Sequence, residues 1–187
     1  MTRFLTRATG TAFLAALVAL GQPAAMAQSA DGDAKEVTNG SRFGAWTVNC
    51  QALGVNKTSC VLTQRLVRSG DGGFLAEVLA FSNADDSKRY LAARVPNGVY
   101  FPAGFAMRPA EVTEETRFIW QSCSAKLCEA LIEIAPEAAA SFEASEKGMV
   151  AGYRPGLTAD PVIFSMSAAG MTAGLDALAG ARVAASE

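Results

Sequence analysis

The chain has 187 residues, 16 of them basic and 18 acidic, with four cysteines and no histidine. A net charge of −2 with no basic stripe offers nothing to track a phosphate backbone, so nucleic acid is not an expected partner. The missing histidines remove the commonest metal ligand and general base, and with them any Ser-His-Asp or Cys-His arrangement.

Residues 1–27 have the three parts of a secretory signal peptide. Arg3 and Arg7 form a positive start, Ala12–Leu20 is apolar, Gly21 and Pro23 break the run, and Ala25-Met26-Ala27 supplies small residues for cleavage before Gln28. The apolar run falls short of the roughly 20 residues that span a bilayer. No cysteine follows the site, which argues against a lipoprotein, and Arg3 and Arg7 are not adjacent, which argues against a twin-arginine signal. The expected destination lies outside the cytoplasm. Cleavage removes two of the 16 basic residues and none of the 18 acidic ones, leaving 160 residues, a single domain's length. No later segment is apolar for long enough to span a membrane. Residues 28–42 are polar, with Val37 the only large apolar side chain, and are expected to form a disordered leader.

From Gly44 onward short apolar runs are broken by Gly, Pro, Asn and Asp, the pattern of an all-β domain. Trp46, Val48 and Cys50 alternate with Thr47 and Asn49 as a strand with one buried face, and Ala52–Ser59 reads as the turn after it. Cys60–Arg68, Phe74–Ser82 and Tyr90–Val95 read as the next strands, separated by turns at Ser69–Gly73 and Asn83–Ser87. Val99–Pro102 and Phe105–Arg108 are short strands flanking Ala103-Gly104, and Arg117–Cys123 pairs with Cys128–Ile134. A helix is expected from Pro136 to Glu146, with Phe142 as its anchor and Gly148 as its C-terminal cap. Met149–Arg154 and Val162–Ser167 complete about nine strands, followed by a helix over Met171–Leu178 and a disordered tail over 179–187. Such a set suits a sandwich, in which two sheets hide each other's apolar faces.

Four cysteines permit three pairings. The local one, Cys50–Cys60 with Cys123–Cys128, places each pair at facing ends of a predicted hairpin. A zinc site of four thiolates is the competing reading, but nine and four intervening residues do not match C-x2-C knuckles. A redox centre lacks its C-x-x-C motif. In an exported chain structural disulfides are therefore expected, with no metal and no cofactor.

The carboxylates yield no catalytic residue. Asp85-Asp86 sits in a turn, and Glu111, Glu114 and Glu115 lie in a polar connection. Glu129 and Glu133 share one face of a strand, and Lys88-Arg89 beside Tyr90 forms a charged strand entrance. Asp31-Gly32-Asp33 lacks the ligands and glycine of a calcium loop. Asn39-Gly40-Ser41 and Asn56-Lys57-Thr58 match a glycosylation pattern too short to be specific.

Phe43-Gly44-Ala45-Trp46-Thr47-Val48-Asn49-Cys50 resembles the opening F-G-x-W-x-V-x-C of the invasion-associated locus B family of exported bacterial proteins. Arg94-Val95-Pro96-Asn97-Gly98-Val99 with Pro102-Ala103-Gly104 is similar to that family's P-x-G-V … G hairpin. Cys123–Ala130 is similar to its paired-cysteine turn, with Leu127 where Gly is usual. Ser167–Leu175 resembles its closing S-L-x-G-F-T-x-A-L, with Met171 in the aromatic place. The resemblance covers Phe43–Leu178. It implies an immunoglobulin-like β-sandwich over 43–178, a periplasmic, secreted or envelope-associated protein of a Gram-negative bacterium, and a link of some members with host-cell invasion. It brings no catalytic residues.

The function expected is non-enzymatic: binding of envelope or host proteins through an exposed sheet edge or an apolar surface patch. The alternative is a small-molecule carrier with a pocket between sheets, lined by Trp120 and Phe105.

Overall fold

The computed structural model describes residues 37–55 and 57–186, with side chains as far as Ala181. The expected signal peptide, its cleavage site, Asp31–Asp33 and Asn56 lie outside the described residues. Ten strands and two helices follow in order: β1 (Arg42–Phe43), β2 (Trp46–Gly54), β3 (Lys57–Val67), β4 (Phe74–Ser82), β5 (Arg89–Pro96), β6 (Phe105–Pro109), β7 (Thr116–Cys123), β8 (Leu127–Ile134), α1 (Pro136–Glu143), β9 (Met149–Tyr153), β10 (Val162–Met166) and α2 (Met171–Ser186). All strand pairs are antiparallel, and one continuous ladder runs β1-β2-β3-β4-β5-β8-β7-β6-β9-β10. The mostly-β expectation is met, but the hydrogen-bonded unit is one ten-stranded sheet, and an immunoglobulin-like strand order is not shown.

Several boundaries differ from the sequence reading for physical reasons. The β2–β3 hairpin runs past Cys50↔Cys60 through Gln51↔Ser59 and Ala52↔Thr58 to Gly54↔Lys57, so most of the expected turn at Ala52–Ser59 is ladder. Both faces of that arm are exposed, so no apolar period marks it as strand. Val99–Pro102 is not a strand. Val99 makes a single bridge to Pro155, and a 3-10 turn over Phe101–Ala103 takes Pro102, whose ring removes the ladder donor. Helix α1 ends at Glu143, and Gly148 serves instead as the turn into β9. Helix α2 continues to Ser186 through a run rich in alanine, the best helix former. Of the expected leader, residues 28–36 lie outside the described residues. Ser41 accepts from the Val48 amide, and the Asn39 side chain accepts from the Cys50 amide, so this stretch is tied along β2.

The inward residues of β2, β3, β4, β5 and β8 and those of β6, β7, β9 and β10 form one apolar cluster. Trp46, Leu62, Leu91, Phe105 and Phe118 are its largest fully buried members, together with Met171 and Leu175 of α2. Phe105 meets Phe118 edge-on with ring centroids 5.1 Å apart, an arrangement the ring quadrupoles favour. The entry to α2 presses on β1 so closely that a Cβ on Gly170 (φ +87°) would lie 2.5 Å from the Phe43 carbonyl carbon. Only glycine fits there.

One buried polar side chain ties the sheet together. Gln64 of β3, 8% exposed, donates its amide to the carbonyls of Ala45 (3.2 Å) and Ser167 (3.1 Å), and its side-chain oxygen accepts from the Ser167 amide (3.2 Å). The carboxamide acts as a peptide group would. It joins β3 to the chain leaving β10, two elements far apart in the ladder.

Candidate functional site

Strands β3, β4, β5 and β8 turn one face to the core, and the opposite face carries the candidate site. The register places Thr47, Thr63, Leu79, Ala92, Leu131 and Ile119 in one row across six strands, with no charge anywhere in it. Leu79 and Ala92 are buried although they lie on this outer side, whereas Ile119 is 72% exposed. Leu79 and Ala92 belong to the floor of a depression of about 320 Å³, whose lining includes Phe81, Arg94, Glu77 and Glu129. Phe81 stacks on its register partner Tyr90 with centroids 5.6 Å apart and 21° between planes.

A charged row borders the apolar one. Arg94 lies between Glu77 and Glu129 in register, with Nε 2.7 Å from Glu129 and Nη1 3.4 Å from Glu77. Partial burial works to lower the Arg94 pKa, but the Glu129 hydrogen bond and charge, followed by those of Glu77, raise it. Arg94 therefore stays charged at any working pH. On the other side Lys88 reaches Glu133 at 2.9 Å, and this hydrogen bond raises the lysine pKa.

The remaining residues singled out from sequence have structural duties. Asp85 caps its own turn through the Ser87 hydroxyl and amide, which hold its carboxyl below the usual carboxylate range. Glu111 accepts from the Ser145 hydroxyl, Glu115 faces Arg117 at 3.5 Å, and Arg89 pairs with Asp176. Among the described residues no group of three or more Cys, Asp or Glu side chains is placed to hold a metal ion. Phe105 is fully buried in the core, and Trp120 packs against that core and against Phe101 at 6.3 Å, so packing accounts for both rings.

All four cysteines are paired locally, Cys50 with Cys60 and Cys123 with Cys128, each pair directly opposed in register. Such bonds fit an oxidising, extracytoplasmic compartment. The Cys123–Cys128 turn accommodates Leu127 because the Ser124 hydroxyl accepts from the Lys126 and Leu127 amides and its own amide donates to Leu127. Met171 is fully buried, so the apolar role of that position is kept.

The sequence model of the invasion associated locus B (IalB) proteins matches residues 46–179, from Trp46 through most of the described fold. The chain belongs to the IalB family. Its fold is similar to the crystal structure of invasion associated protein b from Bartonella henselae, with a TM-score of 0.63 and 16% identity. The match covers 77% of this chain and 97% of that one, and at such identity it is a likeness of fold. No curated protein matches the chain at a significant level.

The outer apolar face was missed from sequence, though one signal pointed to it. In Leu79-Ala80-Phe81 the apolar run is continuous rather than alternating, which marks a strand covered on both sides.

Proposed function

We propose that this IalB-family protein is a non-enzymatic exported envelope protein that binds other proteins through the outer face of β3, β4, β5, β8 and β7. The observation that carries this reading is the charge-free row from Thr47 to Ile119, sunk at Leu79 and Ala92 and bordered by the Glu77–Arg94–Glu129 ion pairs. An apolar centre with a charged rim is the anatomy of a protein interface. The two disulfides and the signal-like start support export. The non-enzymatic reading is supported by Glu129 and Glu133, each held by a cation of its own sheet. The ladder is taken as bent over its single core, which would give the two layers of an immunoglobulin-like sandwich.

A photo-crosslinking residue at Ile119, compared with one at Val55 on the exposed hairpin tip, tests the proposal in intact cells. We expect discrete adducts from position 119 and none from 55. Adducts equal at both positions, or absent at 119, would overturn the reading. Host-cell contact is the surface-facing version, expected only if external protease removes the protein from intact cells.

A further inference from the structure

We propose that a second site, a trough on the outer face of β7, β6, β9 and β10, binds a small organic carboxylate with an apolar body. The register builds it. Ala106 of β6 lies between Arg117 of β7 and Gly152 of β9, and Gly152 in turn lies beside Ile163 of β10. The floor is therefore a methyl group next to no side chain at all, with a long cation on one side and an exposed isoleucine on the other. The floor stays low because a Cβ on Gly152 would sit 2.7 Å from the Val162 carbonyl oxygen. The cavity measures about 360 Å³, near the lower end of ligand pockets and suited to a small molecule.

The charge of the lining sets the ligand class. Arg108, Arg117 and Arg154 line the trough with a single acid, Glu115, in a chain whose net charge is −2. Glu115 faces Arg117 at 3.5 Å. Arg108 and Arg154 have no carboxylate partner among the described residues. The Nη1 of Arg108 donates to the carbonyls of Pro109 (3.2 Å), Ala110 (3.2 Å) and Val112 (2.6 Å), and that of Arg154 to Leu157 (3.4 Å). Carbonyls fix a guanidinium in place without neutralising it, and they leave its other N–H groups available. A guanidinium held only by carbonyls beside an apolar wall can take a carboxylate attached to a hydrocarbon in a planar, bidentate way, and the trough offers two such groups, Arg108 near one end and Arg154 near the other.

Amide NMR of the disulfide-bonded mature protein, titrated with octanoate, octanol or inorganic phosphate, tests this. Octanoate is expected to shift the Ala106, Gly152 and Ile163 amides saturably. The R154Q variant, which spares both the turn that Arg108 holds and the Arg117–Glu115 pair, should weaken binding about tenfold, as loss of charge-assisted hydrogen bonds does. Ile163→Glu, at a position 68% exposed, should weaken it through a different contact. Octanol should give no saturable shift, and phosphate should bind more weakly than octanoate. The proposal is overturned if octanoate causes no saturable shift, if octanol or phosphate binds as tightly, or if both folded variants bind like the parent.

Discussion

Strands β3, β4, β5 and β8 bury one face in the core, and their other face carries an uncharged row that nothing among the described residues covers. Inward, Leu62, Val78, Leu91, Val95 and Ala130 are almost fully buried, and α2 closes over this side with Gly174 close against the Leu62 methyls. Outward, Leu79, Ala92, Leu131 and Ile119 lie in an uncharged row with neither of the two described helices packed on it, and the row ends in an isoleucine open to solvent. The same strands thus carry a face explained by folding and a face that folding leaves unexplained. Residues of the inner face should govern stability, and residues of the outer rim should govern association.

The largest effect is expected from the inner face. Leu62→Ala should cost about 2–5 kcal/mol, the range for buried leucine truncations, read as a lower urea midpoint. A loss of a few tenths would break the comparison, since it would mean that the inner side is not the tightly packed one. Next come the staples. On the chain-entropy model, loops closed across 10 and 5 residues contribute about 3 and 2 kcal/mol respectively. Replacing Cys50 and Cys60 together by Ser should therefore lower stability more than replacing Cys123 and Cys128, and the reverse order would mean that the burial of Cys128 outweighs loop entropy. Chemical denaturation of the two double variants decides between loop entropy and burial.

Gln64→Leu should cost about 1–3 kcal/mol, because it leaves the Ala45 carbonyl and both Ser167 backbone groups without their partner. A neutral result would mean that water replaces the carboxamide and that the β3–β10 tie is dispensable. A smaller effect belongs to Tyr153, whose phenol pKa is raised chiefly by burial, with Arg68 opposing. Its stabilising contribution is complete below the ordinary tyrosine pKa near 10 and is lost as pH rises through the higher folded value. Tyr153→Phe should therefore flatten the alkaline limb of a stability–pH profile, and an unchanged limb would assign the loss to other groups.

Much of the fold was legible in the sequence because it rests on local signals. Phe74–Ser82 is bounded by Gly73 and Asn83 and is the strand read from those bounds. The cysteine pairs follow from hairpin geometry. The extended hairpin arm was not legible, since neither of its faces is buried and pairing alone makes it strand. Nor was the continuity of the ladder, which depends on β5 pairing with β8 and β6 with β9 across intervening elements. The outer row was hidden for the same reason. Thr63, Leu79, Ala92 and Leu131 come from four strands, and only the register makes them neighbours.

Ile119→Asp tests the central claim most directly, because the side chain is 72% exposed and lies at the open end of the row. The measurement is the urea midpoint of the purified variant alongside crosslinked adduct yield in intact cells, with the crosslinker at Leu131 of the same row. The account predicts a stability change within about 0.5 kcal/mol, as for surface substitutions, together with loss of the adducts. Adducts retained at the parent level in a stably folded Ile119→Asp protein would contradict it.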